Sequence, residues 1–136
     1  MAVSTVERDR RLSIFRGTAY PAVPANHYIS LHSATPGLTG ASELSGNAYA
    51  RVAVSPVVGS WSAPATNVAV REISNSAVVT FPTVTTADWA TATHFGVWDA
   101  ASAGNFLRGE ALTVPKTAQV GDTISFAIGA LVLNET

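Results

Sequence analysis

The feature that most constrains the fold is a series of short apolar runs, separated by turn-forming residues, that begins after Gly17. The run 27–32 has Ile29 and Leu31 at its centre, and residues 49–54 alternate between apolar and polar side chains. About eight such runs, spaced roughly ten residues apart, predict a sandwich or barrel rather than alternating strands and helices. We therefore expect an all-β, jelly-roll-like sandwich or barrel whose strands lie near residues 27–32, 49–54, 67–73, 77–81, 93–98, 105–112, 123–128 and 130–133.

The segment before Gly17 has a different pattern. Ser4 and Glu7 match a capping box, in which a hydroxyl and a carboxylate each accept a hydrogen bond from a free backbone N–H group. Gly17 stands where a helix would end. The sequence thus predicts one domain overall, with a helical arm over residues 1–17 and a β domain over residues 18–136.

Four of the seven arginines lie in this arm, at Arg8, Arg10, Arg11 and Arg16. They could form a solvated helix face, or they could dock on an acidic surface of a partner. Together with Phe15 they are the candidate partner contacts.

The low charge of the chain bears on how it is used. Charged residues make up 12% of the sequence, against about 25% in typical soluble domains. Either the surface is polar but uncharged, or part of it is buried against other subunits. We favour burial against other subunits, because interface cores are poor in charge. The net charge of −1 gives no electrostatic footprint for nucleic acid, and no apolar run is long enough to span a membrane as a helix. We therefore expect neither nucleic acid nor a membrane as a partner.

The sequence contains no recognisable set of catalytic or metal-binding residues. The chain has no cysteine and no G-x-S-x-G motif. His27 and His32 lie five residues apart on one predicted strand, so they face opposite sides and cannot share a metal ion. Asp88 and Asp99 stand where aspartate commonly makes turns. The sequence predicts no enzyme, no catalytic or metal-binding residue and no cofactor.

The stretch 93–112 is typical of a β-hairpin, and we predict a structural rather than a chemical role for it. Trp98 and Phe106 are candidates for the core or for a subunit interface, as are Arg108 and Glu110, which share one strand face. Because Gly96 has no side chain, we expect another part of the chain to pack closely against its backbone. Trp61 is a candidate for glycan contact under one alternative function.

The same stretch carries a family resemblance. "THFGVWDAASAGNFLRGEAL" followed by "TVPKTAQVGDTISFAIGAL" resembles small virion proteins of tailed bacteriophages, labelled phage tail fibre proteins, some of which resemble capsid decoration (cement) proteins. The stretches "FRGTAYPAVPANHYISLHSATPG", "SGNAYARVAV" and "NSAVVTFPTVTTADW" extend it over nearly the whole chain.

This resemblance implies a virion structural protein made in the cytoplasm of a host bacterium. A compact domain without repeats favours a cement protein on the capsid exterior, bound to the major capsid protein and to itself as a homotrimer. One alternative is a tail or tail-fibre component, either an adaptor or a receptor-binding tip with a host glycan as partner. A less favoured alternative is a surface-glycan hydrolase using Asp88 or Asp99.

Overall fold

Antiparallel strand pairing organises the chain, for which the computed structural model describes residues 2–135. The helical part is α1, Thr5–Ser13, followed by a 3₁₀ turn, Ile14–Arg16. The strands are β1 Ala2–Val3, β2 His27–His32, β3 Val52–Val54, β4 Ala65–Asn67, β5 Val70–Ser74, β6 Val79–Thr80, β7 Trp89–Trp98, β8 Phe106–Ala118, β9 Ser125–Phe126 and β10 Val132–Glu135. The predicted all-β class with a short N-terminal helix is confirmed.

The largest sheet has five strands in the order β1-β8-β7-β2-β3. Its centre is the β7–β8 hairpin, and β2 lies beside it with Leu31 opposite Phe95. A three-stranded sheet, β10-β5-β4, and a two-stranded sheet, β6-β9, complete the fold. The sheets do not close into a barrel, so the sandwich is the correct one of the two predicted architectures.

The main core lies between these sheets. Ile29 and Phe95 come from the large sheet, Phe126 from β9 and Leu133 from β10, and all four belong to one buried cluster. Apolar side chains from all three sheets therefore meet in one layer, which is what makes the arrangement sandwich-like.

The outer face of β2 is also buried. Ser30 and His32 are both fully buried there, covered by the loop that runs from β2 to β3. The backbone of this loop is tied to the strand, since Ser33 N–H donates to the Ser42 carbonyl and Leu44 N–H donates to the Leu31 carbonyl. A strand buried on both faces explains why both sets of side chains in 29–32 avoid charge.

The helix begins as the sequence predicts, but the capping box is only half formed. Ser4 Oγ accepts a hydrogen bond from Glu7 N–H at 3.0 Å, and Gly17 ends the segment in the left-handed conformation. The reciprocal bond is missing because Ser4 N–H donates instead to the Leu107 carbonyl. Pairing of β1 with β8 places Ser4 against the sheet, so the carboxylate of Glu7 is free for other partners.

The prediction of a single strand over residues 67–73 is wrong. Residues 65–67 and 70–74 form two strands joined by a two-residue turn at Val68 and Ala69. Val68 has a φ of 56°, a conformation that β-branched residues rarely adopt, so its sequence gives no turn signal.

Candidate interaction surface

An open groove of about 580 Å³ lies at one end of the sandwich and is the candidate functional site. One wall is the connector between α1 and β2, and the other is the segment between β3 and β4. The floor comes from the large sheet and from β5 and β10. Apolar side chains dominate the lining, with three charged residues deeper in; the lining residues are Glu7, Arg11, Tyr20, Val23, His27, Pro56, Val57, Val58, Trp61, Ser62, Ala63, Pro64, Ile73, Val97, Leu107, Arg108 and Leu133.

A network of ion pairs closes the bottom of the groove. Arg108 lies 3.3 Å from Glu110 and 3.0 Å from Glu135, and its guanidinium also donates to the Asn134 carbonyl. Arg11 pairs with the same Glu135 carboxylate. Burial opposes ionisation of Glu135, but Arg11 and Arg108 outweigh it and hold the pKa of this carboxyl below its usual value. The network joins the helix, β8 and the last strand.

Glu7 ties the helix to the connector that follows it. Its carboxylate is buried, accepts a hydrogen bond from the Tyr20 hydroxyl and lies 3.4 Å from Arg11. Burial and the Glu7 carboxylate raise the pKa of Tyr20 to about 12. Glu7 is the buried residue of α1, so polar contacts rather than an apolar helix face hold this element in place.

The predicted arm arginines fall into two pairs. Arg10 lies 3.4 Å from Asp99 and Arg11 binds Glu7 and Glu135, so both have partners within the chain. The pKa of Asp99 is lowered, because hydrogen bonds from Asn105 and Arg10 outweigh the effect of burial. Arg8 and Arg16 are exposed and have no ion pair among the described residues.

Phe15, the apolar candidate in the arm, is 89% exposed. It stands on the 3₁₀ turn, beside Ile14, which is also exposed. Neither side chain lines the groove of its own chain. The arm therefore presents an apolar projection to the outside.

Trp98 and Phe106 are both buried within the chain, although neither belongs to the main core cluster. Their rings pack edge to face with centroids 5.2 Å apart. Trp98 Nε1–H donates to Ser30 Oγ, which lies 2.7 Å from His32 Nε2. Because His32 Nδ1 lies 2.7 Å from the Ala41 carbonyl, that nitrogen carries the proton, and Nε2 accepts from Ser30.

Arg51 is a structural residue that the sequence reasoning missed. Its guanidinium lies 3.6 Å from the centroid of the Trp98 ring and forms two hydrogen bonds of 2.8 Å with Glu43. It also donates to the carbonyls of Ala100 and Ala103. No sequence signal marks this role, because Arg51 faces away from the apolar positions of its own strand.

Trp61 is half-buried and lines the groove among valine and proline side chains. Within residues 2–135, no group of three or more histidine, aspartate or glutamate side chains could hold a metal ion. No helix in the described part of the chain is long and apolar enough to cross a membrane. The geometry offers a contact surface, and its chemistry is apolar with paired charges beneath.

Fold and surface together define a small β-sandwich structural protein whose open face is suited to contact with other molecules. The family model described as podophage GP4 fiber I protein gp80 matches residues 2–134, and the chain belongs to this family. No curated protein matches the chain. The chain is accordingly a bacteriophage virion structural protein, as the resemblance implied.

Proposed function

We propose that the chain is a self-associating subunit of a virion fibre. The observation that carries this proposal is the match of nearly the entire chain to a family whose description names a podophage fibre protein. The apolar groove with its paired charges suits a role in contact with other proteins. Self-association is supported by the low charge of the chain and by the exposed apolar arm.

Capsid decoration, which the sequence favoured, is the second candidate. The described residues form a sandwich without the elongated shaft of a typical fibre, and this favours a cement protein bound to the major capsid protein. In that role the protein would stabilise the mature shell by binding it in preference to other states.

Copy number in the virion separates the two roles. Quantitative mass spectrometry of purified particles would give the ratio of this chain to the major capsid protein. A few to a few dozen copies per particle supports the fibre subunit, and a ratio near one or a simple fraction of one supports decoration. Particles that contain no copies of the chain would refute both.

Immunogold labelling of intact particles gives the position independently. Label at an appendage of the head or the tail is expected for a fibre subunit. Label spread evenly over the head would instead support the decorating role.

A further inference from the structure

Exposed apolar side chains are concentrated in two segments of the described chain. Eight of the thirteen large apolar side chains that are exposed lie in residues 12–23 and 57–68. They are Leu12, Ile14, Phe15, Tyr20, Val23, Val57, Val58 and Val68. Apolar patches of this kind mark sites of protein contact.

The walls of the groove carry no charge and are rich in proline. Residues 17–26 and 52–70 contain no Asp, Glu, Lys or Arg, and they hold four of the seven prolines. Proline restricts the backbone, so less conformational entropy is lost when such a wall becomes an interface. An apolar side chain can enter between these walls without separating a charge from water.

The same chain supplies a segment that fits this description. Phe15 is 89% exposed and stands at the end of the arm, outside its own groove. An aromatic side chain buries roughly 150–250 Å² when it enters a pocket, which makes it an effective anchor. The groove, at about 580 Å³, has room for Phe15 together with Ile14.

Charge complementarity favours a second copy as the occupant. Arg16 follows Phe15 directly, is exposed and has no ion pair among the described residues. The Glu135 side chain is 42% exposed, and it pairs with Arg11 and Arg108, both of which line the groove. Docking Phe15 in the groove would bring an unpaired cation toward this carboxylate.

We propose that Phe15 of one copy docks in the groove of a second copy, between Val58 and Trp61. The two surfaces are different, so the contact is head-to-tail, which gives a ring such as a trimer where the rotation closes and an open filament where it does not. This deepens the proposed function and rests on its self-association.

The test is a mixing experiment on the full chain. Phe15→Ser removes the projection and leaves the groove intact, whereas Val58→Lys blocks the groove with a cation that repels Arg16. Both side chains are about nine-tenths exposed, so neither change should disturb the fold. Each variant alone should raise the dissociation constant of self-association at least about tenfold in sedimentation velocity.

Mixing the two variants should restore one intact contact and give a 1:1 heterodimer that grows no further. Ile128→Ser, an exposed apolar residue outside the groove, is the matched control and should associate like the unmodified chain. A monomeric unmodified chain, unchanged association of Phe15→Ser, or failure of the mixture to pair would each overturn the proposal. A monomeric unmodified chain would also contradict the self-association in the proposed function, whereas the results with the variants concern the interface alone. Absence from virions would refute the proposed function as a whole.

Discussion

Gly96 shows how a single residue sets the packing of the outer β2 face. A Cβ atom at this position would lie 2.7 Å from Ser30 Oγ and 2.8 Å from His32 Nε2, both of which are fully buried. Gly96→Ala must therefore push apart the hydrogen-bonded side chains, and we expect the free energy of unfolding to fall by about 1–3 kcal/mol. Urea denaturation would measure it.

Gly59→Ala is the matched control, because a Cβ there would meet nothing within 4 Å. This variant should change the free energy of unfolding by less than about 1 kcal/mol in either direction. Equal losses from the two variants would contradict the packing argument.

His32, which is buried, and His27, which is partly buried, make stability depend on pH. Burial lowers the pKa of His27 and of His32 below the ordinary value of 6.5. The unfolded chain then binds more protons than the folded one below about pH 6.5, so acid favours unfolding. The contribution of neutral histidine is complete above that pH and is lost as pH falls toward the folded pKa values.

We expect the urea midpoint to fall steadily from pH 7.5 to pH 5, above the range in which most carboxyl groups titrate. His32→Gln should lower stability at pH 7.5 and reduce the pH dependence. A midpoint that stays constant over this range would show that the histidines titrate alike in both states. His27→Gln, measured in parallel, would divide the effect between the two residues.

At the scale of elements, Glu7 ties α1 to the connector that follows it, while Arg10 and Arg11 pair with Asp99 and Glu135 of the sandwich. Glu7→Ala removes the acceptor for Tyr20 and leaves Arg11 with Glu135 alone. We expect the free energy of opening this segment to fall by about 1–2 kcal/mol, which makes tryptic cleavage within the arm roughly tenfold faster. Cleavage can be followed by mass spectrometry under native conditions.

Asp9→Ala is the control for this helix, because Asp9 is exposed and has no ion pair among the described residues. Its cleavage rate should stay close to that of the unmodified chain. Equal rates for the two variants would mean that Glu7 does not hold the helix.

Local patterns predicted the elements better than their contacts. The run 27–32 forms β2 as expected, and Ser4 and Gly17 bound the helical segment, because these signals depend on neighbouring residues. The turn at Val68 carries no such signal. The pairing of Arg10 with Asp99 and of Arg11 with Glu135 joins residues far apart in sequence, so no local pattern could separate these arginines from Arg8 and Arg16.

Local sequence patterns could not predict the groove either. Trp61 was recognised as a contact candidate, but its neighbours come from several distant segments that only the fold brings together. Low charge predicted that some surface would be buried in an assembly. It could not show which surface, because uncharged stretches occur throughout this sequence.

At the scale of the whole molecule, the arm is integrated with the sandwich. β1 pairs with β8, and Ser4 and Glu7 are buried against the sheet. Removing residues 1–16 would therefore expose sheet residues as well as delete the arginines. Point substitutions of the exposed arginines are the better way to ask whether the arm binds another virion protein.

Arg8→Gln combined with Arg16→Gln removes two positive charges that have no ion pair within the described chain. The free energy of unfolding should change by less than about 0.5 kcal/mol, as for most surface substitutions. If the arm meets an acidic partner surface, incorporation into virions should decrease, because charge attraction speeds association. Mass spectrometry of particles assembled with the variant would measure its copy number. Arg71→Gln, at an exposed position on β5, is the control for loss of a positive charge outside the arm and should leave incorporation unchanged, although it also removes hydrogen bonds to Thr66 and to the Pro64 carbonyl. Normal incorporation of the double variant would exclude these two arginines as contacts with the rest of the virion, while the groove and Phe15 would remain to be tested separately.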